Sequence, residues 1–364
     1  MRLTNDTERR RAIQRGMEFI YSVAKRPCHF DEYGSDLLSC FYYISRSSED
    51  AELRRQAREM GEERAHRWRR VNARLPADAD ADTVNFLVQG SMSATGLGFP
   101  DEAFDSRLRK AIGRFTATDF LSFDPTLEPP PTDVPKLCEC GLYNKRGRKR
   151  CVQCKRRLER ASRYRIWYYG LIWVYTSELF GAPAGARYAD MLKWLPELRP
   201  YRGPEDGANS DFYDTIYAIT HLVYTLNDYS LYRLSPRWLP EEFAFLKANM
   251  REAIEWEDPE TLGEFMDALR AFGLEGTHPL IRRGIDYLLS CQNPDGSWGD
   301  TEEEDAYERY HPTWTAIDGL RDYCWRGRGL CFPELLPTLR AWAKKQEPGC
   351  ARTPQPTGDG LACS

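Results

Sequence analysis

"LLSCQNPDGSWGD", Leu288 to Asp300, runs from the end of an apolar helix through a turn to a tryptophan. Asn293, Pro294, Asp295 and Gly296 are turn formers. Gln292 can cap backbone groups left open at the helix end, and Trp298 is large enough to stack over that end and close it. Such a phrase is a clasp between a helix and the turn that follows it.

Working outward, the same sequence of charged helix, turn and apolar helix recurs. "DTERRRAIQRGMEFIYSVA" precedes "SDLLSCFYYISRS", "SEDAELRRQAREMGEERAHRWRRVNA" precedes "DADTVNFLVQGSM", and "DEAFDSRLRKAIGRF" leads to "YRIWYYGLIWVYTSELFG". "ARYADMLKWLPEL" leads to "SDFYDTIYAITHLVYTL", "PEEFAFLKANMREAIEW" to "DPETLGEFMDALRAFG", and "THPLIRRGIDYLLSCQ" to "YHPTWTAIDGLRDY", with "PELLPTLRAWAKKQ" closing the set. Apolar positions fall at helical spacing, Gly, Pro, Asn and Asp punctuate the gaps, and no run alternates with the period of a strand. An all-α fold follows. Six hairpins of roughly fifty residues, none able to bury its apolar face alone, predict a ring with charged helices outside and apolar helices inside.

"RGIDYLLSCQNPDGSWG" carries Arg283 and Gly284, Tyr287, Leu288 and Leu289, then Gln292 and a Gly296-x-Trp298 pair. This resembles the glutamine and tryptophan repeat of the squalene-hopene cyclase and terpene cyclase family, and "RGMEFIYSVA" at Arg15 is similar to its first half. "YERYHPTWTAIDGL" resembles the segment of protein prenyltransferase β subunits whose Tyr-His supplies a zinc ligand, which would be His311. The resemblance implies an (α/α)6 toroid over residues 1–346 with a central cavity that takes an apolar, isoprenoid-like small molecule.

One segment does not fit the repeat. "CECGLYNKRGRKRCVQC" pairs Cys138 with Cys140 and Cys151 with Cys154 across a ten-residue loop. Four thiolates brought together on two turns make a closed tetrahedral site, so the region 130–160 reads as a zinc-ribbon-like insertion held by structural zinc. A redox C-x-x-C pair is the rival reading. Lys145, Arg146, Arg148, Lys149, Arg150, Lys155, Arg156, Arg157 and Arg160 crowd this insert. They form either a docking surface for an acidic or phosphate-bearing partner or a solvated charged face.

The net charge of -4 argues against a protein dominated by nucleic-acid binding. The N-terminal stretch has no apolar core that could serve as a signal peptide, and the longest apolar run, "IWYYGLIWVYT", is too short to span a bilayer, so a soluble, cytoplasmic protein without a transmembrane segment is expected. The end, 347–364, reads as disordered. No P-loop, dinucleotide fingerprint, nucleophile elbow or H-E-x-x-H motif is present.

Inner-helix starts should point at the cavity, and three readings follow. "DADADTV" resembles the acidic motif of class II terpene cyclases, with Asp80, Asp82 and Thr83 on the matching positions. That makes Asp80 and Asp82 catalytic acids for acid-initiated cyclisation or isomerisation, with Tyr217 assisting. The alternative is an acidic loop in which Asp82 caps the helix. Tyr168, Trp173, Tyr213 and Trp314, with Trp167 and Tyr169 nearby, would form aromatic cavity walls. The second reading is metal-dependent: Asp214, Tyr217 and His221 share one helix face, and Asp214, His221, Glu264 and His311 could converge on a second divalent ion, zinc or iron. A third makes the chain a non-enzymatic binding module docked through its basic insert. His29, His66 and His278 read as structural or exposed, and Cys291 and Cys324 as core thiols.

Overall fold

The structure is a computed structural model that describes residues 2–346; the end expected to be disordered lies outside the described residues. In chain order the helices begin with α1 (Arg2–Lys25), α2 (Pro27–Ser47), α3 (Ala51–Val71), α4 (Ala81–Gly96), α5 (Glu102–Ile112) and α6 (Ala117–Leu121). Then come α7 (Arg163–Leu179), α8 (Tyr188–Leu192), α9 (Leu195–Leu198), α10 (Phe212–Leu226) and α11 (Pro240–Glu255). The last are α12 (Pro259–Ala271), α13 (Pro279–Ser290), α14 (Ala306–Leu320) and α15 (Leu336–Gln346). Among the described residues β structure is confined to isolated bridges.

The starts of these helices are written in the sequence. Asp50, Asp80, Asp101, Ser162, Asp258 and Asp305 accept backbone N–H bonds as N-caps, while Pro27, Pro240, Pro259 and Pro279 occupy first-turn positions where no donor is needed. The expected fourth charged helix, "ARYADMLKWLPEL", is instead broken into α8 and α9. Pro196 cannot continue the ladder begun by α8.

Contacts between helices follow a closed order. α2 touches α4, α4 touches α7, α7 touches α10, α10 touches α12, α12 touches α14, and α14 touches α2. The charged helices pack against these from the other side: α1 on α2 and α14, α3 on α2 and α4, α11 on α12, α13 on α12 and α14. Burial follows the same division. Thr261 to Ala271 of α12 are buried without interruption, the mark of a helix enclosed all round, whereas α3 buries only a stripe that includes Leu53, Ala57, Gly61, Ala65 and Trp68.

The clasp is more extensive than expected. Gln292 Nε2 donates to the Gly296 carbonyl at 2.9 Å, closing the turn, and also to the Ala12 carbonyl of α1 at 2.9 Å. Arg15 of α1 answers by donating to Gln292 Oε1 at 3.2 Å and to the Asn293 and Pro294 carbonyls at 2.7 Å. Trp298 is fully buried, donates its indole N–H to the Leu288 carbonyl at 2.8 Å, and lies against Gly16, where a Cβ would come within 2.9 Å of the ring. The phrase therefore joins the first helix to the last hairpin as well as a helix to its own turn.

Between α6 and α7 the insert forms two small turns with its own minor core of Cys138, Cys151 and Leu158. The four cysteine sulfurs all lie within 4.8 Å of one another, with Cys138 and Cys154 at 3.4 Å and Cys140 and Cys151 at 3.6 Å. A tetrahedral zinc tetrathiolate has sulfur–sulfur edges of about 3.8 Å, so the donor set fits a zinc ion. Cys291 is half-buried and Cys324 is exposed, which corrects the expectation of two core thiols: the chain leaves α14 at Arg321, so Cys324 sits in a surface loop.

Candidate functional site

The helices α2, α4, α7, α10, α12 and α14 enclose a cavity of about 550 Å³. Each contributes residues at helical spacing: Asp36, Ser39 and Tyr43 from α2, Tyr217, His221 and Tyr224 from α10, Glu260, Glu264 and Asp267 from α12, and His311, Thr315 and Asp318 from α14. Spacings of i, i+3 or i+4, and i+7 place these groups in stripes along the wall.

The densest cluster lies between α12 and α14. One ligand atom each of Glu260, Glu264 and His311 falls within a common 4.8 Å. Glu260 Oε1 accepts the Tyr217 hydroxyl at 2.8 Å and lies 3.2 Å from His311 Nδ1, near enough for an ion pair but out of hydrogen-bonding alignment, so that nitrogen is buried without a hydrogen-bond partner. Glu264 Oε2 accepts the Thr220 hydroxyl and lies 4.0 Å from His221 Nδ1. His221 Nδ1 is 2.9 Å from the Tyr217 carbonyl. A carbonyl only accepts, so Nδ1 carries the proton and Nε2 the lone pair.

Burial sets the charges. It pushes Glu264 up to about 8, against the Thr220 hydrogen bond and the His311 charge, and it presses His221 down to about 4. Burial also opposes the charged forms of Glu260 and His311, but each is the other's counter-ion; Glu260 is held below the usual carboxylate range and His311 is raised to about 9. Protons thus collect on Glu264, where burial disfavours the charge, and on His311, which the surrounding carboxylates favour. A cation placed among them would do the same work.

Aromatic rings frame the cluster. Tyr307 stacks on His311 at 4.7 Å, Trp314 meets it edge-on at 6.0 Å, and Tyr168 lies 5.2 Å from His221. Farther along the cavity Arg46 pairs with Asp228 at 3.0 Å and Arg321 with Asp318 at 2.5 Å, and burial lifts Asp267 to about 7.

Of the residues singled out from sequence, Tyr168, Trp173, Tyr217, His221, Glu264, His311 and Trp314 line the cavity. Others do not. Asp80 and Asp82 are exposed, and Asp80, not Asp82, caps α4 by accepting the Thr83 N–H at 2.9 Å. Partial burial and the Asp80 charge raise Asp82 above the usual carboxylate range, but neither residue lines the cavity. Asp214 turns away to Ser162, the N-cap of α7, at 2.7 Å and to Arg165 at 3.6 Å. Tyr213 is exposed beside Trp256, and Trp167 points outward to donate to the Met191 carbonyl at 2.9 Å. Glu260 and Asp36 were missed. The carboxylates at Glu260, Glu264 and Asp267, spaced i, i+4 and i+7 in a helix whose only other charged residue is Arg270, were the available signal for the first, and the single acid in "SDLLSCFYY" for the second.

No family model, curated protein or solved structure matches this chain.

Proposed function

We propose that this chain is a metal-dependent enzyme of the cytoplasm that binds a small molecule in the cavity of an (α/α)6 toroid, with a divalent ion, zinc or iron, held by Glu260, Glu264 and His311. The observation that carries this reading is the convergence of one ligand atom each from Glu260, Glu264 and His311 within 4.8 Å of one another in the cavity wall. Two carboxylates and an imidazole suit either ion. The toroid is supported by the closed order of contacts from α2 round to α14 and back, and the Cys138, Cys140, Cys151, Cys154 site is given a separate, structural zinc.

An ion there would supply Lewis-acid polarisation of a substrate oxygen. The chain's own groups supply the rest. Tyr217 and Thr220 orient Glu260 and Glu264 by donating hydroxyl protons to them, the outer-shell role such partners play for ligands. His221, neutral and with its lone pair on Nε2, can accept a proton from a group bound in the cavity. Tyr168, Tyr307 and Trp314 cover apolar parts of the substrate and keep water out.

Metal analysis of purified protein tests the reading: two metal equivalents per chain are expected, with Glu264→Gln/His311→Ala losing one and retaining the thiolate-bound one. Retention of both, or a single equivalent in the parent protein, would sink it. A second reading has its own observation. Glu264, protonated up to about 8 in an aromatic-walled cavity, supports acid-initiated, terpene-cyclase-like chemistry with Glu264 in the place first given to Asp80 and Asp82. Turnover of a polyprenoid that survives removal of every metal except the thiolate-bound ion would favour that second reading.

A further inference from the structure

From Lys136 to Arg160 the insert carries ten Lys and Arg against Glu139 and Glu159. A divalent metal on four thiolates would add two negative charges, leaving about six positive. That surplus sits on a chain whose net charge is -4. Some of the cations are used internally: Arg146 pairs with Glu128 and Asp133, Arg156 with Glu139, and Lys136 with Glu159. Arg148, Lys149, Arg150, Lys155 and Arg157 are exposed and have no carboxylate at ion-pair distance among the described residues. Like charges at this density repel one another unless an anionic surface meets them.

The same insert is also unusually apolar at its surface. Of nine large apolar side chains exposed in the described chain, four, Leu127, Leu137, Tyr143 and Val152, belong to it or to its lead-in. Leu137 and Tyr143 flank the first turn, where Cys138 N–H donates to the Leu142 carbonyl at 3.2 Å. Val152 N–H donates to Asn144 Oδ1 at 3.0 Å, which brings it beside Tyr143.

We propose that the insert docks the protein on an anionic lipid bilayer, its cations on the headgroup phosphates and Leu137, Tyr143 and Val152 entering the interface. Basic residues interleaved with exposed apolar ones are what an anionic interface binds. A nucleic-acid backbone would use the cations but has no place for exposed aliphatic groups, so the lipid surface accounts for more of what is seen. The proposal stands independently of the chemistry in the cavity.

Co-sedimentation of the full chain with phosphatidylcholine vesicles, with and without phosphatidylglycerol, tests it. Binding is expected only with phosphatidylglycerol and should weaken about fivefold for each cation removed, on the order of a hundredfold for Arg148→Ala/Lys149→Ala/Arg157→Ala. Arg148→Lys/Arg150→Lys/Arg157→Lys should keep it, since headgroup attraction follows charge and not guanidinium geometry. Tyr143→Ser/Val152→Ser, with zinc content unchanged, should lose the part of the binding that persists at high salt. Failure to bind the anionic vesicles, binding indifferent to the cations, or tighter cation-dependent binding of a single-stranded oligonucleotide would each overturn the proposal.

Discussion

A side chain at Gly263 of α12 would collide with the carbonyl of Thr315 in α14, because the two backbones touch there. This crossing sits between Glu260 and Glu264 on one helix and beside His311 on the other, so it sets the spacing of the candidate metal ligands. Gly263→Ala must push the helices apart, and a loss of about 1–3 kcal/mol is expected. Denaturant unfolding measures the loss, and weaker uptake of the second metal measures the change in spacing. An unchanged midpoint would mean that the crossing relaxes freely.

Removing the clasp should cost more. Trp298→Ala empties a fully buried indole site and strips Leu288 of a hydrogen bond, for an expected loss of about 3–5 kcal/mol. Gln292→Ala leaves the Ala12 and Gly296 carbonyls without that donor, at about 1–3 kcal/mol. Equilibrium unfolding of the two variants should rank them in that order.

The cluster predicts how stability depends on pH. Glu264, raised to about 8, and His311, raised to about 9, both hold protons in the folded state that the unfolded chain releases at lower pH. Their favourable contribution is therefore complete below the unfolded values and is lost as pH climbs through 8 and 9. Melting temperatures of protein stripped of its second metal should fall over that window, less steeply for Glu264→Gln, and added divalent ion should flatten the curve. His221, depressed to about 4, works in the other direction: its contribution is lost as pH falls from its unfolded value near 6.5.

Tyr217→Phe deletes the hydroxyl that holds Glu260 at 2.8 Å while keeping the ring. Affinity for the second metal should drop about 10–100-fold, read by competition with a chelating dye. The same variant should leave the thiolate site loaded.

The insert should come apart alone. Its small core is separate from the main one, so Cys138→Ser or Cys151→Ser is expected to release one zinc and open 130–160 to protease, while the helical melting transition moves little. A collapse of that transition would show that the insert supports the rest of the chain.

Much of the helical organisation was readable because caps, prolines and apolar periodicity are local signals. "LLSCQNPDGSWGD" revealed its own turn but not its partner in α1, since nothing near Gln292 in sequence points to Ala12 or Arg15. The cavity followed the same pattern. His221, Glu264 and His311 were found by their places near inner-helix starts. Asp80 and Asp82 satisfied the same rule yet lie outside the cavity, Asp80 because an N-cap turns its side chain back to its own helix and Asp82 because it stands on the exposed side of the first turn. Asp214 was drawn to another helix's cap, Ser162. Glu260 was overlooked because its role depends on the closeness of α12 and α14, which a glycine at 263 permits and a sequence does not announce.

Arg15 holds the carbonyls of Asn293 and Pro294, 278 and 279 residues further on. During synthesis at roughly 5–20 residues per second, that partner emerges some fifteen to sixty seconds after α1. Until then α1 has only α2 and α3 to pack on, and the face that meets α14 and Trp298 in the finished protein lacks those partners. A chain that stalls before Gln292 therefore leaves the first helix closed on one side only.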